Sequence, residues 1–392
     1  MSIDRLTPGS QTSLREANRA RIVNAVQQRG ALTQVELAGV TGLSPATVSN
    51  IVKELTAAGV LATSPTSRSG RRAQQVTLAR TLGLVGGVHF GIRTLRVALA
   101  DTSGRTVAEQ RMPLAPDHRA DIGLDRVALL LEEMLEQVEA TRDELLRVGV
   151  GVAAPIDPAD GRVTTRGLLR GWDGVRVADV LGEQLAVPID VDNDANLGAL
   201  AESRQGAARE FRDVVYIRVS NGVGAGLVLG GRVHHGRSGA AGEIGHSTID
   251  ENGPVCRCGN RGCLEMYVAA PSLLAMLEPT HGTLSIQGVL DRAAAGDLGC
   301  VRVLEDSGRH LGVAVANLCN LVDPEIVVVG GQVAAAGELL LEPLRASLAR
   351  RAVPSDEGPV PVVPAEFGTQ SELRGAVLLA LENVEIARGG PR

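Results

Sequence analysis

The first eighty positions hold three helix-period runs and then a strand-period run. In REANRARIVNAVQQRG (15–30), Ile22, Val23 and Val26 recur at helical spacing and Gly30 stops the run, which predicts a helix. TQVELAGVTG (33–42) predicts a shorter one, with Thr33 as N-cap and Glu36 as its capping-box partner. Gly42 turns the chain into LSPATVSNIVKELTAAG (43–59), a third helix with Ser44 as N-cap and Pro45 at the first helical position. VLATSPTSRSGRRAQQVTLA (60–79) reads as two short strands around an Arg68-Ser69-Gly70-Arg71-Arg72 tip. Three helices followed by such a hairpin are the layout of a winged helix-turn-helix.

From about residue 82 the pattern changes. LGLVGGVHFGIRTLRVALAD (82–101) predicts strand, Gly-containing turn, strand, and RVALLLEEMLEQVEATRDELL (126–146) an amphipathic helix. RVGVGVAAPID (147–157) is a buried strand and turn, and VPIDVDNDANLGALAE (187–202) a strand running into a helix. DVVYIRVSNGVGAGLVLGGRV (213–233) is a second Gly-turned hairpin and PEIVVVGG (324–331) a late buried strand. Strands alternating with helices indicate α/β architecture. The two hairpins, one near the start of each half, point to a duplicated fold with a cleft between halves. The domain reading is therefore 1–80, a winged helix-turn-helix, and 82–392, an α/β body of two lobes.

Charge sharpens the N-terminal reading. Residues 1–80 carry ten Lys/Arg against four Asp/Glu, a net +6, on a chain whose net charge is −6. A basic head on an acidic body suits a polyanion partner. On the third helix Val48, Ile51, Val52 and Leu55 form the apolar stripe. Ser44, Thr47, Ser49, Asn50 and Lys53 lie off it, a surface of short polar or basic side chains that fits a major groove. Arg68, Arg71 and Arg72 at the wing tip offer guanidiniums to phosphates or a minor groove. The expected partner is double-stranded DNA with a palindromic operator, read by a homodimer or homotetramer.

Six aromatic residues among 392 leave an aliphatic core. No run of about 18 apolar residues proposes a membrane span, and the N-terminal stretch has no apolar signal core. Five cysteines, three of them bunched, do not make a secreted disulfide framework, so a cytoplasmic location is expected.

The bunched cysteines lie in CRCGNRGCLE (256–265), spaced C-x-C-x₄-C, with His246 ten residues upstream. Three thiolates and an imidazole suit a closed, structural tetrahedral zinc site, and Gly259 and Gly262 permit the tight backbone it needs. Cys300 and Cys319 sit in apolar helical segments and read as core.

The glycine-rich run from Val219 to Leu227, followed by Gly236, Gly242, Gly245 and His246, resembles the signature of the ROK family of repressors, open reading frames and sugar kinases. CRCGNRGCLE resembles that family's cysteine-rich motif, and VDNDANLGALAE and NLVDPEIVVVGG resemble further ROK segments. The likeness covers roughly residues 82–385. It implies an actin-like ATPase fold, two α/β lobes around a sugar and nucleotide cleft, with the winged helix as the usual addition of the repressor branch. It also implies that Asn193, Asp194, Glu243, His246 and Glu265 contact a sugar or sugar phosphate, His246 through its second ring nitrogen.

The chain departs from the family's kinases where they handle phosphate. Their opening D-x-G-x-T motif falls on His89-Phe90-Gly91-Ile92-Arg93, which replaces the acid by His89 and the hydroxyl by Arg93. A second loop, usually G-T-G, has Asn221-Gly222, and a sugar-contacting Asn is replaced by Leu168. Phosphoryl transfer needs oxygen ligands for Mg²⁺. The body is therefore expected to sense a sugar and not to be an enzyme. The alternative is an ATP-dependent sugar kinase using ATP and Mg²⁺, with Asp194 as general base.

Overall fold

The structure is a computed structural model that describes residues 11–68, 71–79, 82–115, 118–164, 169, 171–356 and 358–384, with backbone alone at 11–13, 67–68 and 71–72. Its N-terminal unit comprises α1 (Gln11–Arg29), β1 (Leu32–Thr33), α2 (Gln34–Thr41), α3 (Pro45–Ala57), β2 (Leu61–Arg68) and β3 (Arg71–Leu78). The helices start where the caps predict. Thr33 and Glu36 form a reciprocal capping box on α2, and the Ser44 hydroxyl accepts from the Thr47 amide at the start of α3. Val48, Ile51, Val52 and Leu55 turn inward onto Ile22, Val26, Leu37, Val76 and Leu78. The strands form a three-stranded antiparallel wing in the order β1-β3-β2.

The body repeats one sheet twice. The first lobe has β4 (Leu84–Phe90), β5 (Thr94–Asp101), β6 (Thr106–Pro113), α4 (Ala120–Gln137), β7 (Leu145–Val152), α5 (Val177–Leu185) and β8 (Ile189–Asn193). Helix α6 (Asp194–Arg204) then leads into the second lobe. That lobe holds β9 (Val214–Val219), β10 (Val223–Leu229), β11 (Arg232–Val233), α7 (Glu265–Val268), α8 (Ala270–His281), α9 (Ile286–Ala294), α10 (Leu298–Val322), β12 (Ile326–Gly330), α11 (Glu338–Ala349) and β13 (Val362–Pro364). The sheet orders are β6-β5-β4-β7-β8 and β11-β10-β9-β12-β13. In each, an antiparallel meander supplies three strands and two parallel strands complete the other side. Strands β9 and β12 are buried along their whole length, as strands covered on both faces must be.

One expected element differs. The run 126–146 is not a single helix: α4 starts earlier, at Ala120, and ends at Gln137, after which Glu139 adopts a positive φ and Arg142–Glu144 form a 3₁₀ turn into β7. Leu145 and Leu146, placed on the helix by periodicity, belong to the strand. The capping box of Thr141 with Glu144 competes locally with helix continuation.

Two helices join the lobes. Every residue of α6 from Asp194 to Ser203 is buried. Leu197, Leu200 and Ala201 of α6 pack toward the first sheet, and Ala199 packs against Tyr216, Val228 and Val328 of the second. The last helix, α12 (Ser371–Asn383), returns onto the first lobe's sheet. It comes so close that a Cβ on Gly375 would lie 2.0 Å from the Leu197 carbonyl oxygen, and one on Gly149 2.0 Å from that of Ala376. Only glycine allows those crossings. Among the described residues no helix is long and apolar enough to cross a membrane.

Candidate functional site

The end of β8 delivers Asn193 and Asp194 to the junction of the lobes. The Asn193 side-chain oxygen caps α6, accepting from the amides of Ala195 (2.8 Å) and Asn196 (3.2 Å), and its amide nitrogen donates to the Ala154 carbonyl. Asp194 follows in the first helical turn, 4% exposed. Its Oδ2 lies 3.3 Å from His89 Nε2 and 3.4 Å from Arg218 Nη1. Arg218 Nε in turn lies 3.1 Å from Glu372 Oε1, which also accepts from the Tyr216 hydroxyl at 2.9 Å. Burial works to raise the Asp194 pKa, but Arg218 and His89 outweigh it and hold the carboxyl below its ordinary value. Asp194 is therefore an ionised, ion-paired group. That makes it a strong hydrogen-bond acceptor, and a general base only if Arg218 lets go.

Glu243, His246 and Glu265 line the same pocket as Asn193 and Asp194, with Arg218, Arg257, Ile92 and Leu169 also in its wall. The five residues that the resemblance implies are thus brought together from three separate segments. Burial, helped by Asp194 and Glu265, pushes the Glu243 carboxyl up to about 7. Glu265 opens α7 and is already engaged: Oε2 accepts from the Val223 amide at 3.0 Å, and Oε1 lies 3.2 Å from Arg257 Nε. It ties the glycine-rich hairpin to the cysteine loop as well as facing the pocket. In the family's kinases the equivalent of Leu168 would also face a sugar, but that position lies outside the described residues.

Behind this wall the sulfurs and one imidazole converge. His246 Nδ1 is 3.6 Å from Cys256 Sγ, Cys258 Sγ is 3.6 Å from Cys263 Sγ, and the four ligand atoms all lie within 4.8 Å of one another. Zinc at about 2.3 Å from sulfur and about 2.0–2.1 Å from nitrogen sets tetrahedral edges of about 3.5–3.8 Å, so this donor set fits the ion. Burial and the neighbouring thiols push Cys263 up to about 12, a cost that a bound dication reverses. Gly262 has φ 60°, and a Cβ there would meet the Asp250 carbonyl oxygen at 1.6 Å. His246 presents its other nitrogen, Nε2, toward Glu243 at 3.9 Å. Cys300 and Cys319 lie in the core of the second lobe, along α10.

On the N-terminal unit, Ser44, Ser49, Asn50 and Lys53 are exposed on α3 and Thr47 is half-buried. Ser44 and Thr47 partly satisfy each other, with their hydroxyl oxygens 2.8 Å apart. Arg68 and Arg71 are the last paired rung of the wing, and Arg72 pairs with Ser67. Their side chains, and Ser69 and Gly70 between them, lie outside the described residues.

Sequence reasoning missed Arg218, Glu372 and Arg257. A signal for the first was present: VVYIRVS places a guanidinium inside a strand that is otherwise continuously apolar, and a buried charge requires a partner. The three positions that the resemblance sets apart from the family's kinases also converge. His89, Arg93 and Asn221 all line a second cavity of about 460 Å³ that adjoins the first, sharing Ile92 and Arg218 as walls.

A winged helix mounted on a duplicated α/β body with a polar cleft at the lobe junction defines a DNA-binding protein built on an actin-like kinase fold. The chain belongs to the ROK family, whose profile matches residues 85–383, while a winged helix-turn-helix DNA-binding profile matches residues 15–62. It is 26% identical over 378 residues to the xylose repressor of Bacillus spizizenii, covering 95% of this chain and 97% of that protein. It is 28% identical over 396 residues to the DNA-binding transcriptional dual regulator NagC of Escherichia coli, covering 95% and 96%. Among solved structures, a ROK family glucokinase from Streptomyces griseus in complex with glucose and AMPPNP superimposes with TM-score 0.68 at 28% identity, covering 76% of this chain and 99% of that one.

Proposed function

We propose that the protein is a sugar-responsive transcriptional regulator that binds operator DNA through its winged helix and represses genes of carbohydrate metabolism. One observation carries this reading furthest. Helix α12 holds Glu372 of the pocket's ion network at one end, and at the other its carbonyls receive a hydrogen bond from Gln27 on α1 of the winged helix. A ligand that re-pairs Asp194, Arg218 and Glu372 acts on the same rigid element that seats the DNA-binding unit. Asn193, Asp194, Glu243, His246 and Glu265 form the effector pocket in this reading. His246, Cys256, Cys258 and Cys263 hold a structural zinc that keeps its wall in shape. Ser44, Thr47, Ser49, Asn50 and Lys53 read base edges and phosphates, and the wing arginines Arg68, Arg71 and Arg72 add phosphate or minor-groove contacts.

The working unit in this proposal is a homodimer or homotetramer on a palindromic site, with half-sites about one helical turn apart. The ligand must bind the released state better than the DNA-bound state. Gel-shift or footprinting with the DNA upstream of its own gene tests this: a protected palindrome that a sugar or sugar phosphate dissociates supports the reading, and no sequence-specific binding under any sugar overturns it.

A second reading, an ATP-dependent sugar kinase, is favoured by Asp194 keeping its place beside the pocket. ADP release with glucose, mannose, N-acetylglucosamine or xylose, abolished by Asp194→Ala, would establish it.

A further inference from the structure

A row of basic side chains crosses the first lobe's sheet. His89 on β4 is directly paired with Arg96 on β5, and Arg96 with Arg111 on β6. Directly paired residues of antiparallel strands share a face, and all three line the 460 Å³ cavity between the lobes. Arg93, from the turn between β4 and β5, and Arg218, from the opposite lobe, line it too. Among the described residues of its wall, Glu372 is the one carboxylate, and it is engaged with Arg218 and Tyr216.

This cation density is only partly consumed internally: His89 is paired with Asp194, and Arg218 with Asp194 and Glu372. Arg96 is engaged through both terminal nitrogens, with Glu109 at 2.9 Å and with the Thr369 carbonyl, but Arg93 and Arg111 have no side-chain partner among the described residues. Arg96 and Arg111 are also like charges placed directly opposite each other, an arrangement that destabilises a sheet, and Glu109 pairs with Arg96 alone of the two. Further, His89 Nδ1 and Arg96 Nε are buried and make no hydrogen bond, on side chains that are 6% and 11% exposed. Buried nitrogens of this kind are normally satisfied.

We propose that this cavity is a metal-independent phosphoryl-binding site, in which Arg93 and Arg111 receive the phosphate oxygens directly and Arg96 adds its charge to the same row. Guanidinium forks match phosphate geometry without a bridging cation. A divalent ion, which the acid of the kinase motif would help to hold, is repelled by arginines at the same place. The cavity exceeds what one phosphate fills, and its shared wall at Arg218 lets one ligand span both pockets. The phosphate belongs either to the sugar ligand itself or to a nucleotide. This inference rests on the cleft being an effector site, but not on the DNA-binding half of that reading.

The test is calorimetry on the full chain, without DNA and in EDTA. The probes are glucose and mannose, their 6-phosphates, pyrophosphate and ATP, and operator release is measured separately. The expected result is that a phosphorylated probe binds at least about tenfold tighter than its unphosphorylated parent, or that ATP or pyrophosphate binds without metal. An Arg93→Gln/Arg111→Gln double variant then weakens that binding by about tenfold or more and leaves free-sugar binding unchanged. Both side chains are exposed, so the variant's melting temperature should match the parent's. Sugar phosphates binding without ATP assigns the phosphate to the effector, and the reverse assigns it to a nucleotide. No binding in EDTA, binding that appears only with Mg²⁺, or an unaffected double variant overturns the site. Phosphoryl binding with no operator release by any probe would retain the site and sink the regulatory reading, whereas release by free sugar with no phosphoryl binding in EDTA would do the opposite.

Discussion

The side-chain amide of Gln27 donates to the carbonyl oxygen of Leu381, 3.2 Å away, and to that of Val384 at 3.1 Å. These bonds join the first helix of the winged unit to the last helix of the body across almost the whole length of the chain. Thr102 adds a second fastening by donating to the Ala79 carbonyl at 2.7 Å, just where the wing gives way to the first lobe.

Gln27→Ala removes the donor; the Leu381 carbonyl keeps the Val384 amide but the Val384 carbonyl loses its bond to Gln27, a loss of about 1–3 kcal/mol in the docking of the winged unit. Operator affinity without ligand should change little, because Gln27 faces the body and not the DNA-reading surface of α3. The ligand-induced loss of affinity should shrink. Titrations of operator binding with and without effector check this, and a wild-type response in the variant would exclude α12 as the route.

Arg218→Met leaves Asp194 and Glu372 buried without their shared cation, and removal of one partner from such a network costs about 3–5 kcal/mol. The melting temperature should fall, and Arg218→Met combined with Asp194→Asn should recover part of the loss. The pH dependence follows from the sign. The folded-state pKa of Asp194 lies below its ordinary value. Its pairing therefore stabilises the fold above about pH 4 and is lost as pH falls through the lower folded value. In Arg218→Met burial acts on the Asp194 carboxyl without its largest opponent, so that acid limb should weaken and the variant's deficit should shrink as pH falls, as denaturation curves between about pH 3 and 7 would reveal.

Protein purified under reducing conditions should carry one zinc per chain, measured by elemental analysis. Cys258→Ser or exhaustive chelation should release it, lower the melting temperature of the body, and weaken ligand binding while the winged unit keeps its helical signal. A metal-free protein with full ligand response would refute the structural zinc.

Asn50→Ala should weaken specific operator binding by about 1–3 kcal/mol and relax base preference at one position. Lys53→Gln should weaken operator and random DNA alike and reduce the salt slope by about 1. Competition binding across a salt series separates the two. Equal losses on both DNAs for Asn50→Ala would remove it from the base-reading set.

The winged helix was the most legible part of the chain. Its helices are set by caps and stripes within a few residues of one another, as with Thr33 and Glu36 or Ser44 and Thr47, and such signals survive without tertiary context. The duplicated body was legible as alternating strands and helices with two glycine hairpins. The helix-to-strand switch at Thr141–Leu145 was not, because the apolar period runs on while a local capping box and a positive φ at Glu139 break the helix.

The candidate site divides in the same way. The sequence by itself determined the donor chemistry: three cysteines and a histidine at convergent spacing, acids on glycine-rich turns, and, by resemblance alone, His89 and Arg93 at the place of a kinase phosphate motif. Only the tertiary structure decided that Asp194 is locked by Arg218 and His89, that Glu372 returns from the last helix to hold Arg218, and that His89, Arg96 and Arg111 stand in one row. Caps and ligand spacings act over a few residues and so are written locally. Charge pairs and rows depend on sheet register and on α12 packing back against the first strands, which no local pattern encodes.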